Sequence, residues 1–149
     1  MVILKKILDF YINSSLHVAL SAFALVSMTQ YFFGVEEDFS VAFFAFFGTV
    51  IGYNFVKYDA IARLNKTEIK KELKVIVFLS FISLLACFYF FLQLSWMSKV
   101  SAFAFFGLTL LYTLPFFPNK QNARNWKGVK IYIVGITWVG VTVILPLVE

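Results

Sequence analysis

Five long apolar runs, separated by short polar or charged stretches, dominate this sequence. A helix of about 20 residues, rising 1.5 Å per residue, crosses the roughly 30 Å hydrocarbon core of a bilayer. Hydrophobic residues make up 61% of the chain and charged residues 14%, against about 45–50% and about 25% in soluble domains. The pattern predicts an all-α, polytopic transmembrane helix bundle forming one domain over 1–149. The five predicted spans are 14–34, 39–57, 73–94, 97–117 and 129–148.

The stretch before the first run, Met1–Ile12, is too short to cross a membrane. Lys5, Lys6 and Asp9 interrupt its apolar positions, a pattern typical of an amphipathic helix that lies in the membrane interface. We therefore expect an N-terminal interfacial helix. A cleaved signal peptide is not expected, because the first long run lacks a small-residue cleavage site and is followed by further spans.

The basic residues are concentrated in every second segment outside the predicted spans. Threading five spans places twelve of the thirteen basic residues on one side, and leaves Lys99 on the other side with Glu36, Glu37 and Asp38. The positive-inside rule predicts a protein integral to the cell (inner) membrane, with its N-terminus in the cytoplasm and its C-terminus outside. The net charge of +5 therefore requires no nucleic acid as a partner, and membrane lipid is the expected one.

Several kinds of chemistry lack the residues they need. Cys87 is the single cysteine, so no disulfide can form within the chain, and a buried inert thiol is expected. His17 has no cysteine or second histidine with which to bind zinc, which favours a packing or hydrogen-bonding role. The sequence contains no Gly-rich phosphate loop, GxSxG elbow or HExxH motif.

The cytoplasmic end of the second run carries the candidate site. Asn54 and Tyr58 are four residues apart and share a helix face, with Lys57 beside them. Asp59 lies about 100° round the helix from Tyr58. In one interpretation Asp59 and Arg63, at i and i+4, form a surface ion pair. In the other, this is the rim of a cytoplasmic cavity where Asn54 and Asp59 help to hold a metal-bound anionic group.

A family resemblance extends over most of the chain. It is carried by the lead-in before the first run, Asn54 near the end of the second, and the basic loop that follows. Further on, Leu111–Pro115 (LYTLP) precedes basic residues. An apolar run that begins near Gly128 and includes Lys130–Pro146 follows them. The arrangement resembles the N-terminal half of the UbiA family of membrane prenyltransferases, and so implies a UbiA-like half-bundle. Members of that family have nine transmembrane helices and transfer an isoprenoid chain from a prenyl diphosphate to an acceptor. They hold the diphosphate through magnesium bound by two aspartate-rich motifs.

The resemblance also implies site residues, although it assigns no catalytic residue. The implied ligands of a prenyl diphosphate are Asn54, Lys57, Tyr58, Lys120, Arg124 and Lys127, with Asp59 as the ligand of Mg2+. Hard oxygen ligands suit magnesium, which stabilises the charge of a departing diphosphate. The loop cations Lys120, Arg124 and Lys127 have a second interpretation, as positive-inside residues that contact only lipid headgroups.

The chain departs from the family pattern in its first motif, N-D-x-x-D-x-x-x-D. With Asn54 as the asparagine, the aspartate positions fall on Phe55, Tyr58 and Ala62, and Asp59 is one residue out of register. The second motif belongs to a later helix. We therefore expect a protein that is incomplete or inactive as a prenyltransferase on its own.

Three hypotheses follow for the function. The first is a UbiA-like protein, either truncated or one half of a split assembly, whose site needs a second half supplied elsewhere. Its expected partner is a second half-bundle or another copy of the chain in a homo-oligomer. The second is a non-catalytic relative that binds isoprenoid lipid or acts as a membrane scaffold. The third is an unrelated small transporter subunit, which should carry an ionisable group at mid-membrane or broken helices. The five runs show almost no such charge, which counts against the third.

Overall fold

The fold consists of α-helices throughout the residues described by the computed structural model, which are 2–36, 38–64, 71–113 and 128–149. The helices are α1 (Val2–Asn13), α2 (Leu16–Phe33), α3 (Phe39–Leu64), α4 (Lys71–Gln93), α5 (Trp96–Thr113), α6 (Val129–Val139) and α7 (Leu145–Val148). A π-helical turn, Gly140–Ile144, joins α6 to α7, so that 129–148 is one continuous helix. The all-α prediction is confirmed for these residues.

In the part of the chain that the structure describes, four helices are long and apolar enough to cross a membrane. Their spans have mean hydropathies of 1.4, 1.7, 2.7 and 2.3 in chain order. The spans are Leu16–Phe33, Phe39–Tyr58, Leu73–Gln93 and Val129–Val148. They match the predicted first, second, third and fifth runs, and they indicate an integral membrane protein. α5 has 18 residues but includes Lys99 and several hydroxyl side chains, which lower its hydropathy. A count of five spans therefore stays a prediction.

Local sequence explains where the first helices begin and end. Ser15 has φ of 62°, a left-handed conformation that is uncommon outside glycine, and it separates α1 from α2. Gly34 ends α2 with φ of 64°, and the Val35 N–H then donates to the Gln30 carbonyl at 3.1 Å. Asp38 precedes α3 and accepts the Ser40 N–H at 2.7 Å, as an N-terminal cap does.

The helices pack most closely at one end of the bundle. α2 packs on α3, α3 on α4, and the helix 129–148 on both α2 and α5. We call the end near Glu36, Asp38 and Glu149 the acidic end, and the end near Lys57 and Lys130 the basic end. The continuous core lies toward the acidic end and consists of Val26, Val41, Ala42, Ala45, Leu94, Ala102 and Leu145. Its alanines allow helix backbones to approach closely, as small residues do in membrane bundles.

Aromatic rings join α3 to α4. Phe43 stacks on Phe90 with centroids 5.3 Å apart, and Phe47 stacks on the same ring at 6.0 Å. Each such pair contributes about 0.5–1.5 kcal/mol beyond the burial of its area. The opposite face of α4 remains exposed, for example Phe78 and Phe88 at 64% and 61%. Only 11% of this span is buried inside the bundle, which suits a helix with most of its surface in lipid.

A proline determines how the last helix packs on α2. Pro146 has no backbone N–H, so in a regular α-helix it would leave the carbonyl of Thr142 without its i+4 donor. The Thr29 hydroxyl on α2 donates to this carbonyl at 2.8 Å, in a buried position. Nearby, Gly140 lies so close to the Phe105 ring of α5 that a Cβ at this position would overlap it. The region of the π-turn is therefore fixed on two sides.

We expect Thr29→Val to destabilise the bundle, because valine keeps the shape of threonine but cannot donate to the Thr142 carbonyl. Hydrogen bonds between membrane helices contribute about 0.6 kcal/mol on average and up to about 1.7, and the buried carbonyl favours the upper value. Unfolding by SDS titration in mixed micelles measures the loss. Thr49→Val is the matched control, since the Thr49 hydroxyl donates to Ala45 within its own helix. Equal losses for the two variants would contradict this account.

Candidate functional site

The polar side chains of the candidate site gather where α1 ends against α3. The chain turns at Ser14 and Ser15, so the carbonyl of Asn13 cannot be satisfied by a continuing helix. Lys57 Nζ and the Tyr58 hydroxyl donate to this carbonyl at 3.3 Å and 2.8 Å. Lys57 Nζ also donates to Asn13 Oδ1 at 3.4 Å and lies 5.4 Å from the centre of the Tyr58 ring.

This arrangement is a cap for the C-terminal end of α1. A cation near the last carbonyls of a helix is favourable, because the helix dipole is negative at that end. Here the cation is Lys57, which belongs to α3 and not to α1. Lys57 and Tyr58 therefore hold α1 in place, a role that can coexist with the predicted contact to a diphosphate. Lys57 remains exposed, so its ammonium group is accessible from the basic end.

Asn54 lies one turn deeper and is almost fully buried, at 3% exposure. Its Nδ2 donates to Ser80 Oγ on α4 at 3.0 Å, and Ser80 Oγ in turn donates to the Ile76 carbonyl at 2.9 Å. Since the serine hydroxyl has given its one proton to Ile76, it can only accept from Asn54. This fixes the orientation of the amide, with nitrogen toward Ser80.

The amide oxygen of Asn54 is left without a partner. Among the described residues no donor reaches Oδ1, although this atom is buried. An unsatisfied buried acceptor costs about 1–3 kcal/mol. A water molecule, a cation or a hydrogen-bond donor of a ligand would remove that cost. Asn54 Oδ1 is thus a site atom whose chemistry calls for a further group.

His17 follows the turn into α2. Its ring lies 5.8 Å from the Tyr11 ring at 56°, and its Nδ1 is buried without a partner in the described structure. The ring contact agrees with the packing role predicted for this histidine. Sequence analysis did not anticipate Asn13 or Ser80, since a lone asparagine in a lead-in and a lone serine in an apolar run form no recognisable pattern.

The other predicted site residues are not brought together with Asn54. Asp59 belongs to α3, but only its backbone falls in the described structure. Lys120, Arg124 and Lys127 lie outside the described residues, and their predicted contact with a diphosphate stays a prediction. Within the described ranges, no group of three or more His, Cys, Asp or Glu side chains could hold a metal ion. A magnesium site therefore also stays a prediction.

The acidic end contains a separate cleft of about 340 Å³, which sequence analysis missed. Gln30, Glu36, Asp38 and Glu149 contribute its polar lining. The Glu149 carboxylate accepts the Ser95 N–H at 2.8 Å, just before the start of α5. This contact places negative charge at a helix N-terminus, where it is favourable. Within this cleft, the hydrogen bond from Ser95 to Glu149 thus joins the start of α5 to the end of α7.

Comparison of the chain with protein-family models, with curated proteins and with solved structures finds no match. The resemblance to the UbiA family therefore rests on the quoted sequence features alone. Membership of that family stays a prediction, while the four apolar helices indicate the broader class, an integral membrane protein.

We expect Tyr58→Phe to loosen α1, because it removes the shorter of the two hydrogen bonds from α3 to the Asn13 carbonyl. A typical hydrogen bond contributes about 0.5–1.5 kcal/mol, which corresponds to roughly two- to twelvefold faster amide exchange in α1. Hydrogen exchange followed by mass spectrometry measures this over residues 3–13. Tyr89→Phe is the control, since it removes a hydroxyl from the exposed side of α4. Unchanged exchange in Tyr58→Phe would show that the cap does not hold α1.

Proposed function

We propose that this chain is a five-span, UbiA-like membrane protein that binds the diphosphate headgroup of an isoprenoid lipid at its basic end. In this proposal the basic end faces the cytoplasm, and α1 lies along that membrane surface. Prenyl transfer would require a second half-bundle carrying the missing aspartate-rich motif. The chain alone binds lipid without transferring the prenyl group.

Support for the fourth predicted run as a membrane span comes from the packing of α5. Its first turn lies against the end of the last helix, where Ser98 Oγ donates to the Leu145 carbonyl at 3.5 Å. Farther along, the ring of Phe105 lies against Gly140. α5 therefore runs antiparallel beside the helix 129–148. Because that neighbouring helix is of similar length and is apolar enough to cross a membrane, its packing against α5 supports a membrane-spanning α5. Its 18 residues extend about 27 Å.

Support for α1 at the membrane surface comes from its exposed side chains. Ile3, Leu4 and Ile7 are 75%, 72% and 60% exposed, while Lys5 and Lys6 follow Leu4 directly. Such a surface is unfavourable in water but favourable where apolar side chains enter the acyl region and lysines meet anionic headgroups. The cap on Asn13 would then orient this helix relative to α3.

The observation that carries the headgroup site is the unpaired Oδ1 of Asn54, which lies one helical turn from the exposed Lys57 on the same helix. Amide oxygens are suitable ligands for Mg2+, and an ammonium group pairs with phosphate oxygens. A magnesium-bound diphosphate would satisfy both groups at once. Since twelve of thirteen basic residues lie toward this end in the proposed topology, it also attracts anions over a longer range.

The topology predicts which positions an impermeant reagent can reach. In a Cys87→Ser background, a maleimide that cannot cross membranes should label Glu36→Cys and Ser95→Cys in intact cells. Lys5→Cys and Gly128→Cys should react only after permeabilisation, because they lie on the cytoplasmic side. Labelling of Ser95→Cys and Gly128→Cys from the same side would mean that α5 does not cross the membrane.

The headgroup site predicts magnesium-dependent binding of geranylgeranyl diphosphate to the purified protein in mild detergent. Asn54→Leu removes the acceptor oxygen and should weaken binding at least tenfold, about 1.4 kcal/mol. Thr49→Val is the matched control, because it removes a hydroxyl from the same helix that donates to Ala45 within α3. Isothermal titration with and without Mg2+ gives the dissociation constants.

Absence of magnesium-dependent binding by the parent protein would contradict the proposed function. Equal weakening in Asn54→Leu and Thr49→Val would show that binding does not depend on the amide oxygen. Circular dichroism of each variant confirms that the helices remain folded, so that a loss of binding is not mistaken for a loss of structure.

A further inference from the structure

The N-terminal helix α1 is attached to the bundle by few side chains. Among its residues 3–13 only Tyr11 is partly buried, and the others are exposed. The Tyr11 ring lies 5.8 Å from a histidine ring of α2. The last residue, Asn13, is held by Lys57 and Tyr58 of α3. A segment with so little burial opens more readily than a packed core, so the loss of one contact should change how tightly α1 is docked.

The turn between α1 and α2 is strained. Ser15 has φ of 62°, a left-handed conformation that costs free energy in any residue except glycine. Such a conformation persists only where the surrounding structure holds it, and it is frequent in segments that switch between two arrangements. The strain at Ser15 therefore favours movement of α1, and the contacts from α3 oppose it.

The two contacts from α3 differ in strength. The Tyr58 hydroxyl donates to the Asn13 carbonyl at 2.8 Å, an ordinary length for such a bond. Lys57 Nζ reaches Asn13 O and Oδ1 at 3.3 Å and 3.4 Å, beyond the usual range of about 2.7–3.2 Å. Both of its acceptors are neutral, and Lys57 is exposed. The Tyr58 bond is therefore the firm one, and the Lys57 contact is the one more easily exchanged.

An anionic headgroup offers the Lys57 ammonium group a stronger acceptor than Asn13 does. A hydrogen bond between an ammonium group and a phosphate oxygen is charged on both sides and is about twice as strong as a neutral one. The Asn13 carbonyl lies at the negative end of the α1 dipole, where an anion is unfavourable. One ammonium group therefore cannot serve both partners at full strength, and a bound headgroup draws it away from Asn13.

We infer that the contact between Lys57 and Asn13 is autoinhibitory: docked α1 occupies the cation that the headgroup requires, and headgroup binding loosens α1. This inference rests on the proposed function, because it describes the regulation of the proposed headgroup site. Tyr58 keeps its bond to the Asn13 carbonyl in both states, so α1 is loosened without being released. The coupling is reciprocal, so the headgroup weakens docking by the same factor by which docking weakens headgroup binding.

Asn13→Ala tests the contact from the side of α1. Alanine removes Oδ1 and so frees the ammonium group of Lys57, while its high helix propensity keeps α1 helical. A residue that only supported the fold would not give tighter binding when truncated. Ser21→Ala is the matched control, because the exposed Ser21 hydroxyl donates to the His17 carbonyl within α2.

Two measurements on the purified full chain in mild detergent test the inference. In isothermal titration with Mg2+ and geranylgeranyl diphosphate, Asn13→Ala should bind about two- to fivefold more tightly than the parent, the effect of one weak hydrogen bond. Ser21→Ala should bind as the parent does. In hydrogen exchange, saturating ligand should speed the exchange of residues 3–13 in the parent by a similar factor.

Lys57→Gln tests the contact from the side of α3, since glutamine keeps polarity but removes the charge. We expect residues 3–13 to exchange faster in this variant than in the parent before any ligand is added. Addition of ligand should then cause no further increase. An increase on addition of ligand to Lys57→Gln would show that a group other than Lys57 couples α1 to the headgroup.

Two further results would overturn the inference and leave the proposed function intact, since the parent would still bind ligand. Unchanged or slower exchange of residues 3–13 on ligand binding would show that Lys57 keeps its contact with Asn13. Unchanged or weaker binding in Asn13→Ala would show that this contact does not compete with the headgroup. Absence of magnesium-dependent binding by the parent would instead remove the basis of both the proposed function and this inference.

Discussion

Lipid offers no hydrogen-bond partner to the protein backbone, and this constraint decides where the helices of this chain bend and end. Pro146 removes one backbone donor from the last helix, and the Thr29 hydroxyl on α2 supplies a replacement for the Thr142 carbonyl. That single contact joins residues 113 positions apart. It thereby fixes the last helix against α2 at the level of the π-turn, which in turn places Phe105 of α5 against Gly140.

The same constraint operates at the basic end with different side chains. The carbonyl of Asn13 is satisfied by Lys57 and Tyr58 of α3. The two ends nevertheless differ in composition. The continuous apolar core with its alanines lies toward the acidic end, whereas the hydrogen-bonded pair of Asn54 and Ser80 joins α3 to α4 toward the basic end.

Much of the architecture could be predicted because the thickness of the bilayer requires apolar runs of about 20 residues. Four predicted spans agree with the helices to within a few residues at most ends, and α1 forms where an interfacial helix was predicted. α3 continues to Leu64, beyond its predicted end at 57, since helical bonding does not require that a segment be in lipid. The fourth predicted run is harder to judge from hydropathy because Lys99 lies within α5.

Contacts between distant residues could not be predicted in this way. Thr29 and Ser80 lie in apolar runs that contain other small polar residues, such as Ser27 and Ser83, and nothing in the sequence identifies their partners. The π-turn is equally hidden, although Gly140 and Pro146 were visible as residues that weaken a helix. Asn54 was predicted as a site residue from its position, whereas the direction of its amide follows only from the bond between Ser80 and Ile76.

Three buried side-chain atoms lack a hydrogen-bond partner among the described residues: His17 Nδ1, Asn54 Oδ1 and Glu149 Oε2. A buried polar atom without a partner costs free energy whether it is a donor or an acceptor. Asn54 differs from the other two in that its orientation is fixed by a neighbour, because Ser80 Oγ accepts from its Nδ2 and so turns the oxygen away from α4. This oxygen lies one helical turn from the exposed Lys57. An acceptor and a cation therefore lie close together on α3 at the basic end, which is where the proposed headgroup site is located.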